Sequence, residues 1–377
     1  MNKGKFILSI VLIGVLCVTG CQREKEVKEH KELGWSVDTM PPEYISETIN
    51  ENFIIDADVC VLPGFEQGTA DVLNVEMDTF NRKAVTDVLT ENNVIISEEK
   101  EKYEDGTTSL YYELSNGDHL YISDRFVSYT SALSEYIFYC TRLAYGQVGE
   151  NREVFEATET DFAYCSIEEA EKTGADLLER LGIPVYESSR YKLRLHHEVL
   201  KQEEDPIVME GLADEYNPKS KGEWTSADDS YYFEFYQTVD GCGIIPEVYT
   251  PESTRVYTPL PVKMILNEEG IVEISSDSRW VCRGIIEKEQ PLINFQTALD
   301  MLKKKYEHVI TEDLLEVEKI ELGYAGLREG VEDGWENHMI AAPVWVFRIK
   351  STTRMYGNDI TSSYLVIFDA ITGKEIL

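Results

Sequence analysis

The chain has 377 residues, with 35 Lys and Arg against 70 Asp and Glu, so its formal net charge is −35. A field of that sign repels nucleic acid and anionic head groups, which excludes a nucleic-acid partner. Hydrophobic residues make up 43%, including 22 Tyr, 13 Phe and 5 Trp, enough for a folded body and too many for a disordered chain.

The first element is "MNKGKFILSIVLIGVLCVTGC". Lys3 and Lys5 precede a stretch from Phe6 to Val18 that carries no charge. A membrane-spanning helix needs about 20 apolar residues, whereas the apolar region of a signal peptide needs about 7–15. The stretch leads into Val18-Thr19-Gly20-Cys21, which resembles the lipobox of bacterial lipoproteins. The resemblance implies cleavage between Gly20 and Cys21 and a diacylglyceryl group on the Cys21 thiol. Residues 1–20 are then a signal peptide, and 21–40 a lipid-anchored tether at the extracytoplasmic face of the cell membrane. Two acyl chains hold stably where one does not. The charged "QREKEVKEHKE" reaches roughly 40 Å when extended. Loss of the two signal lysines makes the remaining chain two units more negative.

Residues 41–155 read as an N-terminal α+β domain. In "DTFNRKAVTDVL", Phe80, Ala84, Val85, Val88 and Leu89 share a helical face, with Asp78 as the expected cap. "SLYYELSNGDHLYIS" is a hairpin turning at Asn116-Gly117. "RFVSYTS" is a strand, and Leu133, Tyr136, Ile137, Cys140, Leu143 and Ala144 define a further helix.

Residues 156–287 and 288–377 read as two copies of one unit. "SIEEAEKTGADLLERLGI" is a helix with a Ser166/Glu169 capping box and Gly182 at its C-terminal stop. "NFQTALDMLKKKY" is a helix capped by Asn294. After each helix come an alternating strand, an aromatic strand and a closing hairpin: "YKLRLHHEV", "SYYFEFYQT" and "VKMILNEEGIVEIS", then "VEKIELGYA", "PVWVFRIKS" and "YLVIFDAITGKEIL". The expected fold class is therefore α+β, tandem repeats of one helix packed on an antiparallel sheet. In the aromatic strand, Tyr232, Glu234 and Tyr236 face one way, and Tyr231, Phe233 and Phe235 the other. One face is core, and the other is core or an exposed platform for a ligand.

The Phe295 helix, the "PVWVFRI" strand and the closing Asp369-Ala370-Ile371-Thr372-Gly373 resemble the PepSY-like repeat, over residues 160–377. Modules of this kind also build the exported YycI-type regulators of a membrane histidine kinase. The whole chain looks like the lipoproteins of clostridia and their gut relatives. The resemblance implies a regulatory or peptidase-inhibiting unit and carries no catalytic residue. Asp369 and Gly373 are turn formers before they are anything else.

Motifs for chemistry are sparse. His196-His197-Glu198 lacks the H-E-x-x-H spacing, and in a strand the two histidines point to opposite faces, as surface residues. Ser189 and Lys192 fit S-x-x-K without its partner motifs or a helix to join them. Beyond Cys21, five cysteines remain: Cys60, Cys140, Cys165, Cys242 and Cys282. An odd number leaves at least one unpaired, and no C-x-x-C occurs. No catalytic residue, metal ligand or cofactor is assigned. The reading is a non-catalytic lipoprotein that binds a protein or peptide at the envelope. A carbohydrate- or solute-binding lipoprotein is the first rival. A hydrolase with a spatially assembled site is the second.

Overall fold

A computed structural model describes Trp35 and residues 40–104, 106–141, 152–209, 220–246, 256–309, 311–327, 338–355 and 358–376. The signal peptide, Cys21 and nearly all of the tether lie outside the described residues, as do Leu143 and Ala144.

Two large sheets dominate. The first has eight strands. β1 (Tyr44–Asn50) and β2 (Phe53–Val61) form a hairpin. β2 runs parallel to β15 (Leu314–Leu327), which pairs with β16 (His338–Met355). The start of β16 pairs with β3 (Thr69–Asp78), and the rest of it with β17 (Asn358–Asp369). β3 pairs in turn with β14 (Arg279–Pro291), and β11 (Val256–Tyr257) adds to the end of β15. Helix α6 (Phe295–Tyr306) lays Phe295, Ala298, Leu299, Leu302 and Tyr306 into this sheet's core. Asn294 caps it as expected, its side chain accepting from Thr297 N at 2.8 Å.

The second sheet has nine strands and is antiparallel throughout. Its order is β8 (Val185–Leu195), β9 (Ser230–Val239), β12 (Val262–Asn267), β13 (Gly270–Ser276), β7 (Val127–Thr130), β6 (His119–Ile122), β5 (Thr108–Leu114) and β4 (Ile95–Lys102). β10 (Cys242–Gly243) folds back to pair with the end of β9. On one face, α1 (Arg82–Leu89) and α4 (Ile167–Arg180) bury Val85, Leu89, Ala170 and Leu178 against Tyr112, Phe233, Phe235 and Met264. The opposite face carries α2 (Ala132–Thr141), α3 (Arg152–Glu156) and α5 (His197–Met209) over a smaller core that includes Ile137, Phe155, Leu193, Leu200 and Tyr232.

This architecture overturns the expected fold class. The chain is not α+β tandem repeats of a helix on a sheet; two large sheets with few helices build it. The meanders after α4 and α6 are real, but strands from elsewhere complete both. β13 pairs with β7, and β15 with β2. Residues 44–78 supply three strands to the first sheet, while 95–130 supply four to the second. Local periodicity identifies a strand and its buried face; it carries no information on a partner two hundred residues away.

The sheets meet along β9. Tyr231, Phe233 and Phe235 pack under α4, Tyr232 under α2 and α5, and Tyr236 and Val239 in the first sheet's core. Every residue of β9 is buried, so neither face is an exposed aromatic platform. Beside this seam, Glu321 is 0% exposed. It lies 2.7 Å from Arg348 Nε and 2.9 Å from Lys319 Nζ. Burial acts to raise its pKa, but Lys319, Arg348 and Arg190 outweigh it and hold the carboxyl well below its ordinary range.

Candidate functional site

The face of the second sheet under α2 is only partly filled. In β7, Val127 and Tyr129 enter the core beneath α1 and α4, so Ser128 and Thr130 point to the opposite side. Between them and α2 runs a groove of about 590 Å³. Residues from α2, including Glu135, Phe138 and Tyr139, form one wall.

The strand register explains the floor. One row crosses five strands: Tyr232, Ile265, Glu273, Thr130 and His119 are successive opposite partners. The adjacent row is Glu234, Lys263, Ser275, Ser128 and Tyr121. Hydroxyls therefore share a contiguous surface with Lys263 and the carboxyls of Glu234 and Glu273. At the inner end, Tyr232 donates to Glu234 Oε1 at 2.6 Å, and Arg190 lies 3.9 Å from Glu234 Oε2. At the outer end, Tyr111 Oη and His119 Nδ1 are 2.7 Å apart, with their rings stacked. Phe138 sits on the wall with 41% of its surface exposed. Burial pushes the Glu273 carboxyl up to about 7, with the charge of Lys263 pulling the other way. Such a surface can hydrogen-bond a polar chain along its length and offer it one charge of each sign.

Other residues singled out in the sequence have structural partners. Ser189 donates its backbone N–H to Glu171 Oε1 at 2.6 Å and its hydroxyl to the same oxygen at 2.5 Å, and Lys192 reaches Glu171 Oε2 at 3.1 Å. The S-x-x-K match is thus a clamp of β8 onto α4. Asp369 Oδ1 accepts from Ile371 N at 2.9 Å and Thr372 N at 2.6 Å, while Gly373 has φ +71°. Trp345 is fully buried and donates to Ile293 O at 3.2 Å. Cys60, Cys140, Cys165, Cys242 and Cys282 are all free thiols. Burial raises the pKa of the first four, so none of those is an activated nucleophile.

The histidines differ from expectation. β8 ends at Leu195, His196 is a junction residue and His197 opens α5, so strand alternation does not apply to them. Both are half-buried, their rings stack at 4.5 Å, and Asp229 joins them. Asp229 Oδ1 lies 2.7 Å from His197 Nδ1 and accepts from His197 N at 2.7 Å.

The groove was missed by sequence reasoning. A signal existed in the polar residues at alternate positions of apolar strands: Ser128 and Thr130, Lys263, Glu273 and Ser275. The chain matches no protein-family model. No curated protein matches it. Among solved structures it is similar to the crystal structure of an uncharacterised protein from Eubacterium rectale ATCC 33656. The TM-score is 0.71 and the identity 15%, over 89% of this chain and 94% of that one. At that identity the likeness is one of fold. Among the described residues, no helix is long and apolar enough to cross a membrane.

Proposed function

We propose that the protein is an exported, lipid-anchored binding module, held by Cys21, that receives a peptide segment of an envelope partner in the groove beside α2. The lipobox-like Val18–Cys21 supports the location. The observation that carries the binding mode is the pair of rows across the sheet, hydroxyls with Lys263 and Glu273 between them. A peptide presents donors and acceptors at regular spacing and carries both charges.

The test is fluorescence-anisotropy screening of labelled peptides and neutral oligosaccharides against the chain beginning at residue 21. Micromolar binding of charged peptides is expected. Phe138→Ala, a change at an exposed wall residue, should weaken it about tenfold, the scale of about 1.4 kcal/mol, with an unchanged melting temperature. Preference for neutral oligosaccharides would transfer the site to the solute-binding reading. Peptide turnover abolished by Glu273→Gln in a folded protein would transfer it to a hydrolase.

A further inference from the structure

We propose that His196, His197 and Asp229 form a binding site for a borderline divalent cation of the Zn²⁺ class, separate from the groove. One ligand atom from each residue lies within 4.8 Å of the others. The topology brings them together. Leu195 and Ser230 are opposite partners on β8 and β9, so the residues flanking them, His196 and Asp229, meet at the same end of the ladder.

Two further observations favour a cation. His197 Nδ1 faces Asp229 Oδ1 at 2.7 Å, so a cation taken between those two atoms would replace the proton that now joins them. Asp229 has its side chain only 9% exposed, and Oδ2 accepts no hydrogen bond among the described residues. Two nitrogens and one carboxylate oxygen match Zn²⁺ and its neighbours, and mismatch Ca²⁺ and Mg²⁺, which prefer all-oxygen shells. Three protein ligands leave a position open for water or a further ligand. Bound there, the ion would fasten the start of α5 to the start of β9.

The probe is ZnCl₂, titrated calorimetrically into untagged, chelator-treated full-length mature chain. One-to-one saturable binding is expected, with a melting temperature raised by the metal. His196→Gln leaves the Asp229–His197 contact in place and should weaken Zn²⁺ binding at least tenfold. Equal affinity and stoichiometry in the variant would place the metal on other surface carboxylates and overturn the proposal. A second measurement needs no mutation: Zn²⁺ should protect His196 and His197 from diethyl pyrocarbonate, read by mass spectrometry. Modification of both at the unprotected rate under saturating Zn²⁺ would equally overturn it.

Discussion

Glu273 sits at the middle of the groove floor with its carboxyl pushed by burial to about 7 from an ordinary 4.5. The folded protein therefore holds a proton there at pH values where the unfolded chain has released it. This contribution to stability is fully present below about pH 4.5 and is lost as pH rises through about 7. Glu321 has the opposite sign. Its folded carboxyl lies below 4.5, so its contribution is lost only as pH falls below that value. The two windows do not overlap. Urea unfolding between pH 5 and pH 8 should show the wild type losing stability relative to Glu273→Gln. A pH-independent difference between the two proteins would rule the assignment out. The same proton governs binding: a ligand amine placed beside Glu273 should bind more tightly as pH rises past 7, when the carboxylate is bare.

At the level of single elements, capping and turn chemistry carry the local structure. Ser166 Oγ accepts from Glu169 N at 3.2 Å, and Ser166 N donates to Glu169 Oε2 at 2.9 Å, which completes the box at the start of α4. Ser166→Ala should cost about 1 kcal/mol in chemical denaturation, the ordinary worth of such a cap. An unchanged midpoint would show that burial of Ile167 and Ala170 alone sets this end of the helix. These features were legible in the sequence because they are local: the Ser166 box, the Asn294 cap, Gly117 at a positive φ between β5 and β6, and the Asp369 turn. One cap was misplaced. Asn81, not Asp78, accepts from Ala84 N at the start of α1, while Asp78 pairs with Arg279. What the sequence did not yield was partnership. Glu273 and Thr130 face each other across β13 and β7, and Thr130 and His119 across β7 and β6. Alternation shows that each points away from a core, but not that they point at one another. The strands β2, β3 and β14 went unread for a related reason: each has a partner far along the chain.

At the scale of the whole molecule, Trp35 packs onto the body of the protein. Its ring lies 6.3 Å from that of Trp345, and its backbone presses on Gly68, where a Cβ would come within 2.5 Å of Trp35 N. The proposed tether from Cys21 to this residue spans at most about 50 Å. It would hold the groove within a molecular diameter or so of the bilayer. Cys21→Ala should leave a precursor longer by the signal peptide, seen by intact-mass measurement of the membrane fraction. A mature N-terminus at any residue other than Cys21 would refute the lipid anchor.

The parallel pairing of β2 with β15 joins Phe53 to Leu315, residues separated by about 260 positions. A ribosome delivers the first of these long before the second. The early strands have no lasting place to go until the final third of the chain is released, so the first sheet closes late and all at once. A polypeptide that stays open while it is being made is suited to being threaded through a translocation channel. The interleaved topology would thus suit the export proposed above, with shape acquired on the far side.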